Sequence, residues 1–266
     1  MKLAVIIPAA GFSTRYSEGQ EFARSKLDED LGGRPVLQRT IELFSNVDAV
    51  SFIIVAGPHD PEAFADFKRR HGDKLGLLGV RVCAGGKTHR YETVKAALDQ
   101  VPAEFTHIAV HDAARPCTPP ELIDRVIDAA QKYKAVIPAI DVPDTLKRVS
   151  DRETDDRDVD PLDAILGDAG KKNTRVREVE ATVERTRLVA VQTPQVFEAG
   201  LLRRAYGQAD LASTDDAQLV EKLGEAVTVV EGDPRNIKIT RPIDLLLARA
   251  VLGVRGPEGR AVHKRF

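Results

Sequence analysis

Short valine- and isoleucine-rich runs alternate along this chain with amphipathic stretches, and this alternation constrains the fold more than any other feature. The runs are nearly continuous in apolar residues, which is typical of strands covered on both faces. They span residues 3–8, 51–56, 80–84, 107–111, 135–140 and 227–231. The intervening segments 35–44, 93–98, 120–130 and 215–223 carry apolar residues at helical spacing. The pattern predicts an α/β fold with an open, mostly parallel, twisted sheet flanked by helices.

Composition limits the size of the core and the class of ligand. The chain has 266 residues, 42% of them hydrophobic, which suits a single domain over 1–266 with a sizeable core. With 39 Lys and Arg against 41 Asp and Glu, the net charge is −2, which argues against a nucleic-acid partner. An anionic ligand must therefore be bound by local clusters of positive charge.

Three further observations bear on the location of the protein. No run approaches the roughly 18 apolar residues of a membrane span, so we expect no membrane partner. The apolar stretch near the N-terminus is shorter than a usual signal-peptide core, and a strand explains it equally well. Cys83 and Cys117 match no metal or redox spacing, which is consistent with a reducing, cytoplasmic setting.

The loop after the first predicted strand looks suited to an anion. In open α/β sheets, ligands bind beyond the carboxyl ends of the strands. There the small residues Ala9, Ala10 and Gly11 let backbone N–H groups approach a ligand closely, while Arg15 and Lys26 add positive charge. The alternative is an ordinary strand-to-helix turn with a solvated arginine and lysine. The spacing matches neither the dinucleotide-binding nor the P-loop pattern.

Three further clusters follow or resemble strands. Asp112 directly follows a strand and could hold a divalent cation or a ribose hydroxyl, although it could instead cap the helix near 119, where Thr118 is better placed. Gly85 and Gly86 could let backbone groups read a base edge. Lys238 alternates with apolar neighbours in a strand-like stretch. Cations spread over several strand ends suit a reaction that needs charge neutralised, such as phosphoryl or nucleotidyl transfer.

The segment 150–177 interrupts the alternation. It is rich in Asp, Arg and Lys and poor in large apolar residues, so we expect a solvent-exposed insertion. It separates two extended stretches, 141–147 and 185–195. We expect 141–195 to form a protruding arm that exchanges across a two-fold axis, which predicts a homodimer.

Nine segments of the chain together resemble the 2-C-methyl-D-erythritol 4-phosphate cytidylyltransferase family of the non-mevalonate isoprenoid pathway. They keep the family's order and cover nearly the whole chain outside 151–180. The segments are PAAGFSTR (8–15), SK (25–26), GRPVLQRT (33–40), GG…TV (85–94), HDAARP (111–116), DTLKR (144–148), QTPQVF (192–197), STDDA (213–217) and NIKITRPIDL (236–245).

The resemblance implies a Rossmann-like nucleotidyltransferase fold with an extended β-arm. It also implies that CTP and methylerythritol phosphate are converted to the cytidyl diphosphate and pyrophosphate, with Mg²⁺ or another divalent cation. Arg15 and Lys26 would neutralise the triphosphate, Lys238 would stabilise the α-phosphate, and Asp112 would serve the ribose or the metal.

The remaining roles are also implied by the resemblance. Ala10, Gly86 and Thr93 would read cytosine, and the arm of one protomer would reach the substrate site of the other. The nucleotide site would comprise Pro8, Ala9, Ala10, Gly11, Gly86, Thr93, Asp112 and Ala113. The sugar-phosphate site would comprise Arg115, Thr145 and Arg185.

The sequence departs from the family pattern in several places. Ser13 replaces a loop glycine, and Ser25 and Leu27 replace the proline and glutamine that usually flank Lys26. The loop between Arg15 and Lys26, the GG element and the arm are all longer than usual. Two alternatives remain: a ribitol-5-phosphate cytidylyltransferase with the same chemistry, and a catalytically inactive CTP-binding regulator. The presence of all four charged residues Arg15, Lys26, Asp112 and Lys238 favours an enzyme.

Overall fold

The computed structural model describes residues 1–11, 14–17, 25–151, 154–155 and 175–256. They divide into two compact units. The first contains Met1–Ile140 together with the chain from Val191 onward, and the second spans Asp141–Ala190. Ser13 and most of the predicted insertion at 150–177 lie outside the described residues.

Strands and helices alternate through most of the first unit. In chain order the elements are β1 Leu3–Pro8, α1 Thr14–Ser17, α2 Val36–Ser45, β2 Val50–Gly57, α3 Pro61–Leu77, β3 Arg81–Ala84, α4 Arg90–Leu98, β4 His107–Val110, α5 Pro120–Ala130, β5 Ala135–Asp141, β6 Leu146–Val149, β7 Thr154–Asp155, β8 Arg175–Val176, β9 Val179–Val183, β10 Val189–Val191, β11 Gln195–Glu198, α6 Ala199–Tyr206, α7 Asp216–Glu221, β12 Thr228–Glu231 and α8 Pro242–Leu252.

The central sheet of the first unit is mostly parallel, as predicted. Its strands lie in the order β5-β11-β4-β1-β2-β3, and β12 also pairs with β5. The pairs of β1 with β2 and β4, of β2 with β3, and of β5 with β12 are parallel. Strand β11 runs antiparallel to its neighbours β4 and β5. The α/β fold class is therefore confirmed.

Both faces of the sheet are covered, which explains why its strands are continuously apolar. Along β1, Leu3, Val5 and Ile7 pack into one hydrophobic cluster, whereas Ala4 and Ile6 pack into another on the opposite face. Helices α2, α3, α5 and α8 contribute to the first cluster, and α4, α6 and α7 to the second. A strand buried on both sides has no polar face, so its sequence does not alternate.

The hydrophobic patterns of the sequence did not predict several helices and one strand. Helix α3 buries only Phe67, His71 and Leu75, so its apolar pattern is weak. Helices α6 and α8 were also missed. Strand β11 lies beside β4 and β5, where its residues Gln195–Glu198 are buried or half-buried. The extended stretch predicted for 185–195 thus ends inside the core of the first unit, since Gln192 and Thr193 are buried there as well.

Three local expectations were wrong. Residues 236–240 form a loop rather than a strand, and in it Ile239 N–H donates to the Ala114 carbonyl at 2.8 Å. Thr118 does not cap α5, because the N-cap is Pro119 and the Thr118 hydroxyl donates to Asn236 Oδ1 at 2.8 Å. Helix α4 begins at Arg90 rather than Thr93.

The early start of α4 has a local cause. The Glu92 carboxylate accepts hydrogen bonds from the backbone N–H groups of Thr88 at 2.8 Å and His89 at 3.2 Å. These bonds satisfy donors that the first turn of a helix leaves unpaired. Glu92 therefore closes the lengthened GG loop and sets the position of Arg90 directly after it.

The second unit is built from short antiparallel pairs. Strand β6 pairs with β9, and β7 pairs with β8. The predicted role of this unit as a dimerisation arm stays a prediction. In the described part of the chain, no helix is long and apolar enough to cross a membrane.

Candidate active site

A pocket of about 210 Å³ lies at the carboxyl ends of β1 and β4. The loop after β1, the GG loop before α4 and the loop after β4 form its walls, and Lys26 and Lys238 contribute side chains. Its lining residues are Pro8, Ala9, Ala10, Gly11, Lys26, Leu27, Gly86, Lys87, Thr88, His89, Arg90, Thr93, Asp112, Ala113, Ala114 and Lys238. The structure thus brings together residues that are far apart in the sequence.

Two glycines line this pocket for different reasons. A Cβ on Gly86 would lie 2.1 Å from Glu92 Cβ and 2.7 Å from Thr93 N, so no other residue fits. A Cβ on Gly11 would meet nothing within 4 Å among the described residues, so these residues leave that space open. Gly86 is required by packing within the protein, whereas Gly11 leaves room for a close approach to the backbone.

Asp112 is the centre of charge in the pocket. It is 8% exposed, and its Oδ2 lies 2.9 Å from Lys238 Nζ and 3.2 Å from Arg115 Nε. Its Oδ1 faces Arg90 Nε at 3.5 Å. Burial alone would raise the pKa of Asp112, but the positive charges of Lys238, Arg90 and Arg115 hold it well below its usual range. The carboxylate is therefore ionised at neutral pH.

Lys26 lies among like charges. Burial, followed by the nearby Lys238 and Arg15, lowers the pKa of Lys26 to about 8, while Asp112 opposes the shift. An anion beside Lys26 would offset the repulsion from Lys238 and Arg15 and would stabilise the charged form of the lysine. The position of Lys26 beside Lys238 therefore favours a polyanionic ligand.

A buried histidine and a threonine fix the turn that carries Asp112. The Thr193 hydroxyl oxygen accepts from Asp112 N–H at 3.0 Å and lies 3.2 Å from His111 Nδ1. His111 Nε2 lies 3.2 Å from the Arg115 carbonyl, which only accepts, so Nε2 carries the proton and Nδ1 accepts from Thr193. Burial lowers the pKa of His111 to about 4, consistent with a neutral ring.

Asn236 joins the same turn to the loop that carries Lys238. It is fully buried, its side-chain amide donates to the Thr193 carbonyl at 2.8 Å, and its own carbonyl accepts from Arg115 Nη1 at 2.7 Å. Because Thr118 donates to the Asn236 side chain as well, three separate segments share one hydrogen-bonded centre. The position of Lys238 relative to Asp112 is set by this centre.

A second pocket of about 290 Å³ shares Arg90, Asp112 and Lys238 with the first. Its polar lining comes from the loops around β11 and before α7. The other lining residues are Arg115, Val191, Gln192, Thr193, Gln195, Thr214 and Asp215. Two pockets that share a carboxylate and two cations suit a reaction between two anionic ligands.

The predicted residues fall into three groups. Ten of them line the first pocket, and Arg115 lines the second. Arg15 is exposed on α1 and acts on Lys26 through its charge. Thr145 and Arg185 are exposed residues of the second unit, where Arg185 donates to the carbonyls of Val142 and Pro143. The ten are Pro8, Ala9, Ala10, Gly11, Lys26, Gly86, Thr93, Asp112, Ala113 and Lys238.

Thr93 is more constrained than its predicted role implies. It is 3% exposed, and its hydroxyl oxygen accepts from Gly86 N–H at 3.1 Å. The hydroxyl therefore already supports the GG loop in the free protein.

Sequence reasoning gave no role to four residues of the site: Arg90, Thr193, Asp216 and Asn236. Each lies inside one of the nine segments that resemble the family, and this location was the one feature of the sequence that pointed to these residues. Their function depends on contacts between distant parts of the chain, such as the 2.8 Å ion pair between Arg90 and Asp216. No spacing rule for a single segment reveals such a contact.

The donor set bears on whether a metal ion fits. Within the described residues, no group of three or more histidine, cysteine, aspartate or glutamate side chains is arranged so that it could hold a metal ion. Among the residues that line the first pocket, Asp112 alone offers a carboxylate. Mg²⁺ typically uses one or two carboxylates and takes its other ligands from phosphates and water. The site therefore fits a Mg²⁺ ion that arrives with a triphosphate.

Comparison with known proteins identifies the family. The model of the family described as IspD, 2-C-methyl-D-erythritol 4-phosphate cytidylyltransferase, matches residues 3–160 and 162–254. The chain belongs to the IspD family. The resemblance seen in the nine segments is thereby confirmed.

Individual IspD proteins resemble the chain over nearly its whole length. The 2-C-methyl-D-erythritol 4-phosphate cytidylyltransferase of Streptomyces coelicolor is 38% identical over 96% of this chain and 86% of its own length. The protein of the same name from Rhodococcus jostii is 40% identical over 94% of this chain and 95% of its own. The crystal structure of the Thermus thermophilus enzyme superposes with a TM-score of 0.66 at 32% identity, covering 96% of this chain and 100% of that one.

Proposed function

We propose that this IspD-family protein transfers the cytidylyl group of CTP to 2-C-methyl-D-erythritol 4-phosphate and releases pyrophosphate. The observation that carries the proposal is the group of Lys26, Asp112 and Lys238 in one pocket at the carboxyl ends of β1 and β4. Family membership supports the same reaction.

The shape of the first pocket suits CTP. The exposed, open backbone around Gly11, together with Lys26, would accept the triphosphate. The GG loop would read cytosine, because backbone carbonyls accept from its N4 amino group and would not accept from the O4 of uracil. Asp112 and Ala113 would lie beside the ribose.

The second pocket suits the sugar phosphate. Arg115 and Lys238 bring positive charge to it, and Gln192, Thr193 and Thr214 bring polar groups for hydroxyls. Lys238 lines both pockets, so it lies where the two substrates would meet.

The transfer step needs neutralised charge more than it needs a base. A phosphate oxygen of methylerythritol phosphate attacks the α-phosphorus of CTP and forms a new P–O bond. The bond between the α-phosphorus and the bridging oxygen breaks, and pyrophosphate leaves with the electron pair. The attacking phosphate is already an anion, so no proton is removed. Lys26 would neutralise the departing phosphates, and Lys238 would stabilise the charge that grows on the α-phosphate.

Part of the charge on the CTP phosphates would be neutralised by a bound Mg²⁺. Asp112 would hold it, since this carboxylate is ionised and lines both pockets. The partners of Asp112 in the free protein, Lys238 and Arg115, would remain available to the two substrates.

We also propose a single nucleotidyltransferase domain whose arm, predicted at 141–195, forms a homodimer. Thr145 and Arg185 would then contact the sugar phosphate bound to the partner. Their exposure in a compact unit formed by Asp141–Ala190 supports this proposal. The resemblance of DTLKR to the family's arm supports it as well.

One assay tests the reaction. Pyrophosphate release should be fast with CTP and methylerythritol phosphate, and much slower when UTP or ribitol 5-phosphate replaces either substrate. Equal rates with UTP would remove the cytosine assignment. Faster turnover of ribitol phosphate would change the acceptor while leaving the chemistry in place.

Mixed dimers test the arm. Lys26→Ala and Arg185→Ala should each be nearly inactive alone. After co-expression, random pairing makes about half the dimers mixed, each with one intact site, so roughly a quarter of wild-type activity should return. If Arg185 serves the site of its own chain, every site carries a defect and no activity returns.

A further inference from the structure

Arg90 bridges two carboxylates, one in the site and one behind it. Its Nε lies 3.5 Å from Asp112 Oδ1, and its Nη1 lies 2.8 Å from Asp216 Oδ2. Asp216 is fully buried, whereas the Arg90 side chain is 28% exposed and lines both pockets. Both contacts are ion pairs, and Asp216 Oδ2 has no hydrogen-bond partner among the described residues, so charge attraction orients the planar guanidinium.

Asp216 is itself fixed from behind. The Tyr206 hydroxyl donates to Asp216 Oδ1 at 2.5 Å, and both residues are buried. Burial and the adjacent charge of Asp216 raise the pKa of Tyr206, so the hydroxyl keeps its proton and remains a donor. The start of α7 is also tied to β11, because Ala217 N–H donates to Gln195 Oε1 at 3.1 Å. Asp216 is thus a rigid anchor for Arg90.

The two oxygens of Asp112 have different partners. Oδ2 faces Lys238 and Arg115, at 2.9 and 3.2 Å, and Oδ1 faces Arg90. The terminal torsion of an aspartate is broad, so the carboxylate plane is set by its partners rather than by its rotamer. Arg115 donates to Oδ2 and Arg90 faces Oδ1, so the two arginines together orient the carboxylate towards Lys238.

We propose that Arg90 is a positioning residue: the buried Asp216–Tyr206 pair fixes Arg90, which faces Asp112 Oδ1 and leaves Oδ2 for Lys238, the cation that would meet the reacting phosphates. The inference rests on the proposed function, since its effect is exerted on the transfer step. It differs from a purely structural role, in which Arg90 only neutralises the buried charge of Asp216.

Stability separates the two roles. Arg90→Met leaves Asp216 buried without its cation, which should lower Tm by roughly 10 °C. The double variant Arg90→Met/Asp216→Asn removes that unpaired charge and should recover most of the lost Tm. If Arg90 positions Asp112, kcat stays low in the double variant. If Arg90 is only structural, kcat recovers together with Tm, and the proposal is overturned.

A double-mutant cycle on kcat tests the route through Asp112. Asp216→Asn should lower kcat about 10–100-fold and change the KM for CTP less than about threefold, because it disturbs an outer partner of the site. In an Asp112→Asn background, the same substitution should cost less than about twofold, since the residue through which it acts is already lost. Radiolabelled CTP makes such low rates measurable. Glu221→Gln, on the same helix, is the matched control and should leave kcat unchanged.

The outcomes separate this inference from the proposed function. Equal losses in both backgrounds would show that Asp216 does not act through Asp112. Unchanged kcat in Asp216→Asn would overturn the positioning role, while an active wild-type enzyme would leave the reaction standing. A wild-type protein inactive with CTP and methylerythritol phosphate would instead overturn the function itself.

Discussion

The loops after β1 and β4 meet in one pocket but are built in opposite ways. In the loop after β4, Asp112 and Arg115 are buried; Asp112 N–H donates to the Thr193 hydroxyl, and the Arg115 side chain donates to the Asn236 backbone carbonyl. In the loop after β1, Ala10 and Gly11 present mainly backbone, and a Cβ added at Gly11 would lie within 4 Å of no atom in the described part of the chain. One loop fixes charges before any ligand arrives, and the other leaves space for the ligand. The two loops should therefore respond differently to substitution.

Substitution of Lys26 should have the largest effect, and it tests the part of the pocket that leaves space for the ligand. Lys26→Met should lower kcat about 10²–10³-fold, the usual cost of losing one donor to transition-state charge. Stability should fall little, because removing a partly buried charge beside Lys238 relieves repulsion. Turnover and thermal unfolding of the same preparation measure both effects. Near-normal turnover in a folded variant would remove Lys26 from the transfer step.

The loop after β4, whose charges are fixed before a ligand binds, can be tested through the pH dependence of stability that His111 causes. Its pKa is about 4 in the folded protein against 6.5 when unperturbed. As pH falls from 6.5 towards 4, the unfolded chain takes up a proton that the folded protein does not. This residue should therefore remove about 3 kcal/mol of unfolding free energy over that window, with no further loss below it.

Urea unfolding at several pH values checks this expectation. His111→Gln, whose amide does not titrate in this range, is the control. Between pH 6.5 and 4, the unfolding free energy of the wild type should change more with pH than that of the variant, and the difference should equal the contribution of His111. The hydrogen bonds of His111 indicate a neutral ring, and equal slopes would contradict this.

Replacing Gly86 or Gly11 by alanine should have the smallest effects, and the two variants should differ clearly from each other. Gly86→Ala would place a Cβ against Glu92 and the backbone of Thr93, so it should lower Tm and weaken CTP binding together. Gly11→Ala should leave Tm within about one degree and raise the Kd for CTP only a few-fold, because surface substitutions that break no contact change stability little. Calorimetric titration and thermal unfolding distinguish the two. A large Tm loss in Gly11→Ala would contradict the open space found there.

Much of the fold followed from local patterns. The runs 3–8 and 120–130 appear as β1 and α5 with the same bounds, because buried strands and strongly amphipathic helices leave clear signals. The antiparallel strand β11 was missed, since nothing in QTPQVF reveals that it lies beside β4 and β5. The loop at 236–240 was mistaken for a strand, because its alternating pattern comes from Ile237 and Ile239 packing against the core while Lys238 reaches Asp112.

The sequence by itself determined the fold class, the family and the chemistry of the site, because these depend on residue types and on order along the chain. The tertiary structure decided which groups meet. It placed Arg90 between Asp112 and Asp216, and it made Asn236 the common partner of Thr118, Arg115 and Thr193. These contacts join residues that are 22 to 126 positions apart in the chain, and ion pairs and hydrogen bonds act only over a few ångströms. They therefore arise only when the sheet brings the ends of its strands together.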